Sequence, residues 1–239
     1  MPDTRIDEFL KDIAPFFRGQ QITYVDAGAF EGHVFRAVAN SAMVVGEAHL
    51  IEPNPDSYEA MEYAFAEWEQ CPLHTYNLGL GEKKSELEFI KNRTMTRVVS
   101  PKRSSEVTPH PSHVEGQQEE HFTIQSHRLD TLLGNNAQLP IHLLKLDVEG
   151  HEIPVLKGAR KLLTHQKIDV IYVEAGIDPA NTQQTHLFKL DTFLRRYGYR
   201  IFRIYEQKHE WPTRSPLLRR VNVAYMSEAF AAQHPVEDD

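Results

Sequence analysis

Residues 141–154, IHLLKLDVEGHEIP, constrain this chain more than any other stretch. They open as an apolar run and then gather Lys145, Asp147, Glu149, His151 and Glu152 in close succession. A buried strand that ends in a knot of charge is unfavourable unless the charges are paired or put to use. Gly150 marks a turn, after which Ile153, Val155, Leu156 and Leu162 continue at helical spacing as far as about Thr164. The pattern predicts a central strand of a doubly wound α/β sheet that delivers carboxylates to the edge where ligands bind in such folds.

The whole chain sets outer limits on function. Its 239 residues suffice for a sizeable core, as one large domain or two small ones. A net charge of −8 argues against a nucleic-acid partner. No apolar run approaches the length of a transmembrane segment, and the start, MPDTRIDEFLKD, carries acids where a secretion signal needs a basic and then apolar stretch. The lone cysteine, Cys71, leaves no internal disulfide. These features lead to the expectation of a soluble, cytoplasmic protein.

Taken in order, Ile6, Phe9, Leu10, Ile13, Phe16 and Phe17 recur at helical spacing and predict an amphipathic N-terminal extension over residues 1–21. Docking on the domain is the favoured use of its apolar stripe. The alternatives are to cap a site or to pair two copies as a homodimer. Residues 22–25 then form a short β-rich run leading into a turn, Asp26, Ala27, Gly28, Ala29, Phe30, Glu31, Gly32, before helix-spaced Val34, Phe35 and Val38. Strand, glycine turn and helix N-terminus are a recurring device for a nucleotide-like ligand. Gly28 is expected to let the backbone approach that ligand, and Gly32 to let the helix pack tightly.

The strand over residues 48–51 ends in Glu52, Pro53, Asn54 and Pro55. One carboxylate has two oxygens to offer a vicinal diol, so Glu52 reads as a ribose-binding acid. The turn lacks the full G-x-G-x-x-G pattern, and Glu31 would repel a diphosphate. S-adenosylmethionine, with a ribose, no phosphate and a positive sulfonium, suits an acidic, glycine-poor turn. Helix-spaced Tyr58, Met61, Phe65 and Trp68 and a strand over residues 73–78 follow, with Asn77 and Leu78 as adenine neighbours.

Residues 86–90 and 122–129 alternate like an antiparallel strand pair around a polar stretch, residues 91–121, which is expected to be a surface loop or a substrate lid. Its histidines, His110, His113 and His121, lack tight metal-ligand spacing, so no metal is expected. Asp130 is expected to cap a helix over residues 131–133. An apolar strand over residues 168–173 ends at Glu174, a helix with Leu187, Leu190, Phe193 and Leu194 closes at Gly198, and residues 199–205 and 221–226 form a last strand pair. The basic connector over residues 208–220 is placed near the site rim. With no repeat and no dividing linker, residues 22–239 are expected to form a single domain carrying residues 91–121 as an insertion.

Three segments carry a family resemblance: VDAGAFEG at residues 25–32, IEPNP at residues 51–55, and LKLDVEGHE at residues 144–152 with VLKGA at residues 155–159. Together they resemble the FkbM-like S-adenosylmethionine-dependent methyltransferases, in motif order from residue 22 to residue 226. The resemblance implies a Rossmann-like, mostly parallel seven-stranded methyltransferase sheet with the last strand antiparallel, here with a β-hairpin or loop insertion. It also implies O-methylation of a hydroxyl on a sugar, glycan or related natural product. The resemblance implies that Asp26, Gly28, Gly32 and Glu52 hold the cofactor; the neighbouring turn residues Ala29, Phe30, Glu31 and Pro53, the adenine neighbours Asn77 and Leu78, and Asp147 are the further candidate contacts. Phe30 departs from the Asn or His common in that family.

Methyl transfer from a sulfonium is an in-line displacement, dominated by positioning. A poor nucleophile such as a sugar hydroxyl also needs a proton acceptor within hydrogen-bond reach. Strand alternation puts Lys145 and Asp147 on one face. Asp147 and Glu149 are the candidates for base or acceptor-orienting group, His151 is an alternative base, and Lys145 positions a substrate oxygen or neutralises Asp147. Glu174 is a further candidate. A nicotinamide-dependent oxidoreductase and a non-catalytic cofactor-binding scaffold are the competing readings.

Overall fold

The structure, a computed structural model, describes residues 6–92, 95–99, 120–133, 140–178, 181, 183–210 and 214–235. A short helix, α1 (Asp7–Ile13), runs into a single 3-10 turn, Ala14–Phe17, instead of one continuous amphipathic helix. Pro15 lies at the start of that turn, where its missing N–H and fixed φ suit a new helical start. Phe9, Leu10, Ile13 and Phe17 are buried, and Phe9 stacks on Tyr172 with ring centroids 4.0 Å apart. The extension is therefore part of the core.

β1 (Gln21–Ala27) leads through the glycine turn to α2 (His33–Ala39), β2 (Val44–Ile51) and α3 (Pro55–Ala64). Asn54 caps α3, its side chain accepting from the Asp56 N–H, with Pro55 at the first helical position. The Asn-Pro pair that stops the strand thus also starts the helix. α3 ends at Ala64, and Phe65 and Trp68 pack from the turns beyond it.

β3 (Leu73–Tyr76) is shorter than expected, because the chain leaves the main sheet at Asn77 and enters a second one through β4 (Gly79–Leu80). β5 (Ser85–Asn92), β6 (Met95–Val98) and β7 (Glu120–His127) complete that sheet, in the order β4-β7-β5-β6. The loop expected over residues 91–121 is therefore partly strand, since backbone pairing between β5 and β6 outweighs its polar composition. The rest of that expectation, residues 93–94 and 100–119, lies outside the described residues, as do His110 and His113.

α4 (Leu129–Leu132) follows, then β8 (Ile141–Leu146), α5 (Glu152–Gly158), α6 (Arg160–Thr164) and β9 (Ile168–Gly176). Asp130 sits inside α4 rather than capping it. Its carboxylate instead accepts the N–H groups of Lys161 and Leu162 at the start of α6, each at 3.2 Å. The single helix expected up to Thr164 breaks at Ala159, next to Gly158, where a Cβ would lie 2.1 Å from the Gly81 carbonyl oxygen. Only glycine permits that approach of helix and loop.

α7 (Leu187–Arg195), β10 (Tyr199–Glu210), β11 (Ser215–Ser227) and α8 (Glu228–Ala231) end the described chain. The basic connector is mostly strand, an extended β10–β11 ribbon. The main sheet has the order β10-β11-β9-β8-β1-β2-β3, and only β11 runs antiparallel to its neighbours. One core, containing α5, α6 and α7 residues, covers one face, and a second, containing α1, α2 and α3 residues, covers the other. The central strands are consequently buried on both faces and read as near-continuous apolar runs. Among the described residues no helix is long and apolar enough to cross a membrane.

Candidate active site

The C-terminal ends of β1, β2 and β8 lie side by side, and a cavity of about 290 Å³ opens above them. Its floor and walls include Gly28, Ala29 and Phe30 after β1, Ile51, Glu52 and Pro53 after β2, and Lys145, Asp147, Val148, Glu149 and His151 at and after β8. Leu78, Leu80, Phe89 and Val98 close another side, so the small second sheet supplies an apolar wall.

The β1 and β8 turns interlock. Asp147 N–H donates to the Ala27 carbonyl at 3.0 Å, and a Cβ on Gly28 would fall 1.8 Å from the Asp147 carbonyl oxygen. Gly28, at φ +83°, thus permits backbone to meet backbone, where the expectation was approach to a ligand. Gly32, at φ +76°, lies against the Phe65 ring, with 2.3 Å left for a Cβ, in agreement with a tight helix start.

Beneath this junction lies a buried ion pair. Asp26 and Lys145 face each other in register across β1 and β8, with Nζ 3.0 Å from Oδ1. Tyr24, two residues before Asp26 on the same strand face, donates its hydroxyl to Oδ2 at 2.8 Å. Lys145 also donates to the Gly28 carbonyl at 2.6 Å, which ties the glycine turn to β8. Asp147 is 3.9 Å from the ammonium, so Lys145 belongs first to Asp26, contrary to the pairing expected from alternation alone. Burial pushes the Asp26 carboxyl up, offset in part by the Lys145 charge. For Lys145 burial works against charge, but Asp26 and Asp147 outweigh it and hold the ammonium above its ordinary range.

Glu52 is oriented by the backbone on both sides. Its Oε2 accepts the Phe30 N–H at 2.7 Å and its Oε1 the Asn54 N–H at 2.8 Å. Each carboxylate oxygen has two lone pairs, so capacity toward a ligand diol remains. Asn77 donates to the Glu52 carbonyl at 2.9 Å, bracing the turn from β3.

The β8 turn concentrates acidic side chains. Glu149 has φ +49° and Gly150 φ +90°, two successive left-handed residues of which only the glycine is unstrained. Burial, then the neighbouring Asp147 and Glu152, push the Glu149 carboxyl up to about 8, against the pull of Arg220 and Lys145. Burial pulls His151 down to about 4, so its ring is neutral near pH 7 and a weak proton acceptor. Carboxylate atoms of Asp147, Glu149 and Glu174 lie within 4.8 Å of one another, and Arg220 ion-pairs with Glu174 there.

Residues 26–201 match the Methyltransferase FkbM domain, well over half of the chain. The chain belongs to the FkbM methyltransferase family. Its fold is similar to that of methyltransferase FkbM from Methylobacillus flagellatus KT, with a TM-score of 0.52 and 15% identity over 85% of this chain. The present chain spans 43% of the length of that protein. An rRNA methylase from Streptococcus thermophilus is also similar, with a TM-score of 0.52 and 9% identity, over 93% of this chain and 97% of that one. At such identities the likeness is one of fold. No curated protein matches the chain.

In this FkbM-family chain the cavity gathers most, not all, of the expected residues. Gly28, Ala29, Phe30, Glu52, Pro53, Leu78 and Asp147 line it together with Lys145, Glu149 and His151. Asp26 lies under the floor, held by Lys145 and Tyr24. Glu31 turns away to His33 at 3.3 Å, and Gly32 packs on Phe65. Asn77 holds the Glu52–Pro53 backbone instead of lining the cavity. Phe30 adopts φ +53°, a left-handed conformation that Asn and His tolerate better than Phe.

Some contributors escaped the sequence reading. Glu152 is fully buried, and its carboxylate accepts the Gly150 N–H at 3.0 Å and the Thr185 N–H at 3.2 Å, binding the β8 turn to the segment before α7. Gln184 donates to Glu149 at 3.3 Å from the same segment. Nothing local in the sequence links residues 184 and 185 to residue 149. Tyr24 was legible, since strand alternation puts it on the face of Asp26.

Proposed function

We propose that this chain is an S-adenosylmethionine-dependent O-methyltransferase acting on a hydroxyl of a sugar, glycan or related natural product. The observation that carries the reading is a single cavity with a backbone-oriented carboxylate, Glu52, in one wall and the Asp147–Glu149 pair in another. The donor set fits the cofactor's chemistry. Glu52 keeps lone pairs for a ribose diol, Ile51 and Leu78 offer apolar surface to a base, and the acids suit a cationic sulfonium.

When bound, the cofactor supplies an electrophilic methyl group. The residues around it hold the acceptor in line and manage one proton. Positioning provides the larger share of such barriers, and here it rests on turns fixed by Lys145, Glu152 and Asn77. Glu149 is the preferred general base, because a carboxyl raised toward the working pH accepts a proton better than an ordinary one. Asp147, at the cavity edge, orients the acceptor hydroxyl. His151 stays neutral and serves as a hydrogen-bonding group.

Incubation with methyl-labelled cofactor and a cell extract, followed by identification of the labelled product, tests the reading. Label on a hydroxyl oxygen supports it. Transfer to nitrogen or carbon only, or no transfer with any extract, overturns it. A titration with NADH distinguishes the oxidoreductase alternative.

A further inference from the structure

A second cluster of ligating side chains lies away from the cavity, lower on the main sheet. Glu47 and His49 are two residues apart on β2, so their side chains emerge on one face. β3 pairs with β2 in parallel and sets His74 directly opposite His49, which brings a second imidazole to the same face. His74 Nε2 is 3.1 Å and His49 Nε2 3.4 Å from the same oxygen of Glu47, Oε1. Ligand atoms bound tetrahedrally at zinc's usual bond lengths are about 3.3 Å apart. Two of the three ligand separations therefore already match a metal's coordination sphere. The third, between the histidines, is within 4.8 Å and can close by rotation of His74, whose side chain is 46% exposed.

The surroundings complete the pattern. His49 is buried, and its other ring nitrogen, Nδ1, faces the Tyr76 hydroxyl at 3.1 Å. Metal-ligating histidines characteristically donate their second ring N–H to a neighbouring oxygen, which fixes ring and tautomer. Here a metal on Nε2 would leave the His49 proton on Nδ1, with the Tyr76 oxygen as acceptor.

We propose that Glu47, His49 and His74 form a site for one divalent transition-metal ion, zinc(II) by preference, that clasps β2 to the edge strand β3. Two imidazoles and a carboxylate suit zinc better than magnesium or calcium, which favour all-oxygen shells. Three protein ligands leave a fourth position for water on the exposed His74 side. The cluster ends three residues before Glu52, about 10 Å along the strand, so it is separate from the cavity. Spacings of 47, 49 and 74 hide it in the sequence, since register across two strands is what assembles it.

The test is a zinc titration of the metal-free, full-length chain in competition with a chromophoric chelator, alongside thermal melts with and without zinc. The wild type should take up one equivalent that outcompetes the chelator and should melt higher with zinc. His74→Ala and Glu47→Gln should each weaken uptake by about tenfold or more and abolish the zinc-dependent shift. His165→Ala, at an exposed histidine elsewhere, should leave both readouts unchanged. His74→Ala alters a half-exposed side chain, and Glu47→Gln keeps the shape, so either variant suffices if the other is unstable. Wild-type uptake no stronger than that of both variants overturns the proposal, as does an absence of stoichiometric uptake.

Discussion

In the proposed mechanism Glu149 is the general base. It sits in a left-handed conformation, bonded by Gln184 and crowded by Asp147 and Glu152, and its carboxyl is pushed up to about 8. A base must be deprotonated to act, so turnover should rise with pH through about 8 and level off above it. Glu149→Gln should lower turnover by roughly 10²- to 10⁴-fold and remove that rise while cofactor affinity persists, measured by a pH–rate profile and a binding titration. The same shift has a stability consequence. A carboxyl whose folded value lies above the ordinary 4.5 contributes stability that is full below 4.5 and lost as pH rises through about 8. Glu149→Gln should therefore gain melting temperature over the wild type at pH 9 and show no such gain at pH 4.

Between residue and fold, the unit that matters is the junction of the β1 and β8 turns. Lys145 is central to it through Asp26 and the Gly28 carbonyl, so in the proposed mechanism it is a positioning residue in the cavity floor rather than a proton carrier. Lys145→Ala strands a fully buried carboxylate and should destabilise the chain by about 3–5 kcal/mol in denaturant melts, whereas an exposed Lys161→Ala should have little effect. Gly28→Ala should push the two turns apart, because its Cβ overlaps the Asp147 carbonyl and its φ is left-handed. Loss of cofactor binding together with stability is the expected result. A variant with wild-type binding would show that the turns need not interlock.

For the molecule as a whole, legibility followed the range of the interactions. The β8 segment, the glycine turn and the Glu52 corner were readable because each is a local pattern of period, turn residue and charge. The seven-stranded, mostly parallel sheet with its last strand antiparallel followed from family resemblance rather than from any single segment, while the strand order emerges only from the pairing itself. What escaped reading, apart from the local β5–β6 pairing, depends on distant partners. The β5–β6 hairpin hides in polar sequence, Asp130 caps a helix some thirty residues away at Lys161 and Leu162, and Glu152 reaches Thr185. Asp26 and Asn77 were recognised as belonging to the site, yet their place beneath or behind it depends on register with Lys145 and on contact with the Glu52 turn.

On the proposed function, the cavity above β1, β2 and β8 binds S-adenosylmethionine through Glu52, with the β8 acids on the acceptor side. Calorimetric titration of the cofactor into wild type, Glu52→Ala and Glu149→Gln tests it most directly. The expected result is one site in the wild type, a loss of about 10- to 100-fold in affinity for Glu52→Ala, equivalent to roughly 1.4–2.8 kcal/mol, and near-native affinity for Glu149→Gln. No binding by the wild type, or equal binding by Glu52→Ala, would contradict it.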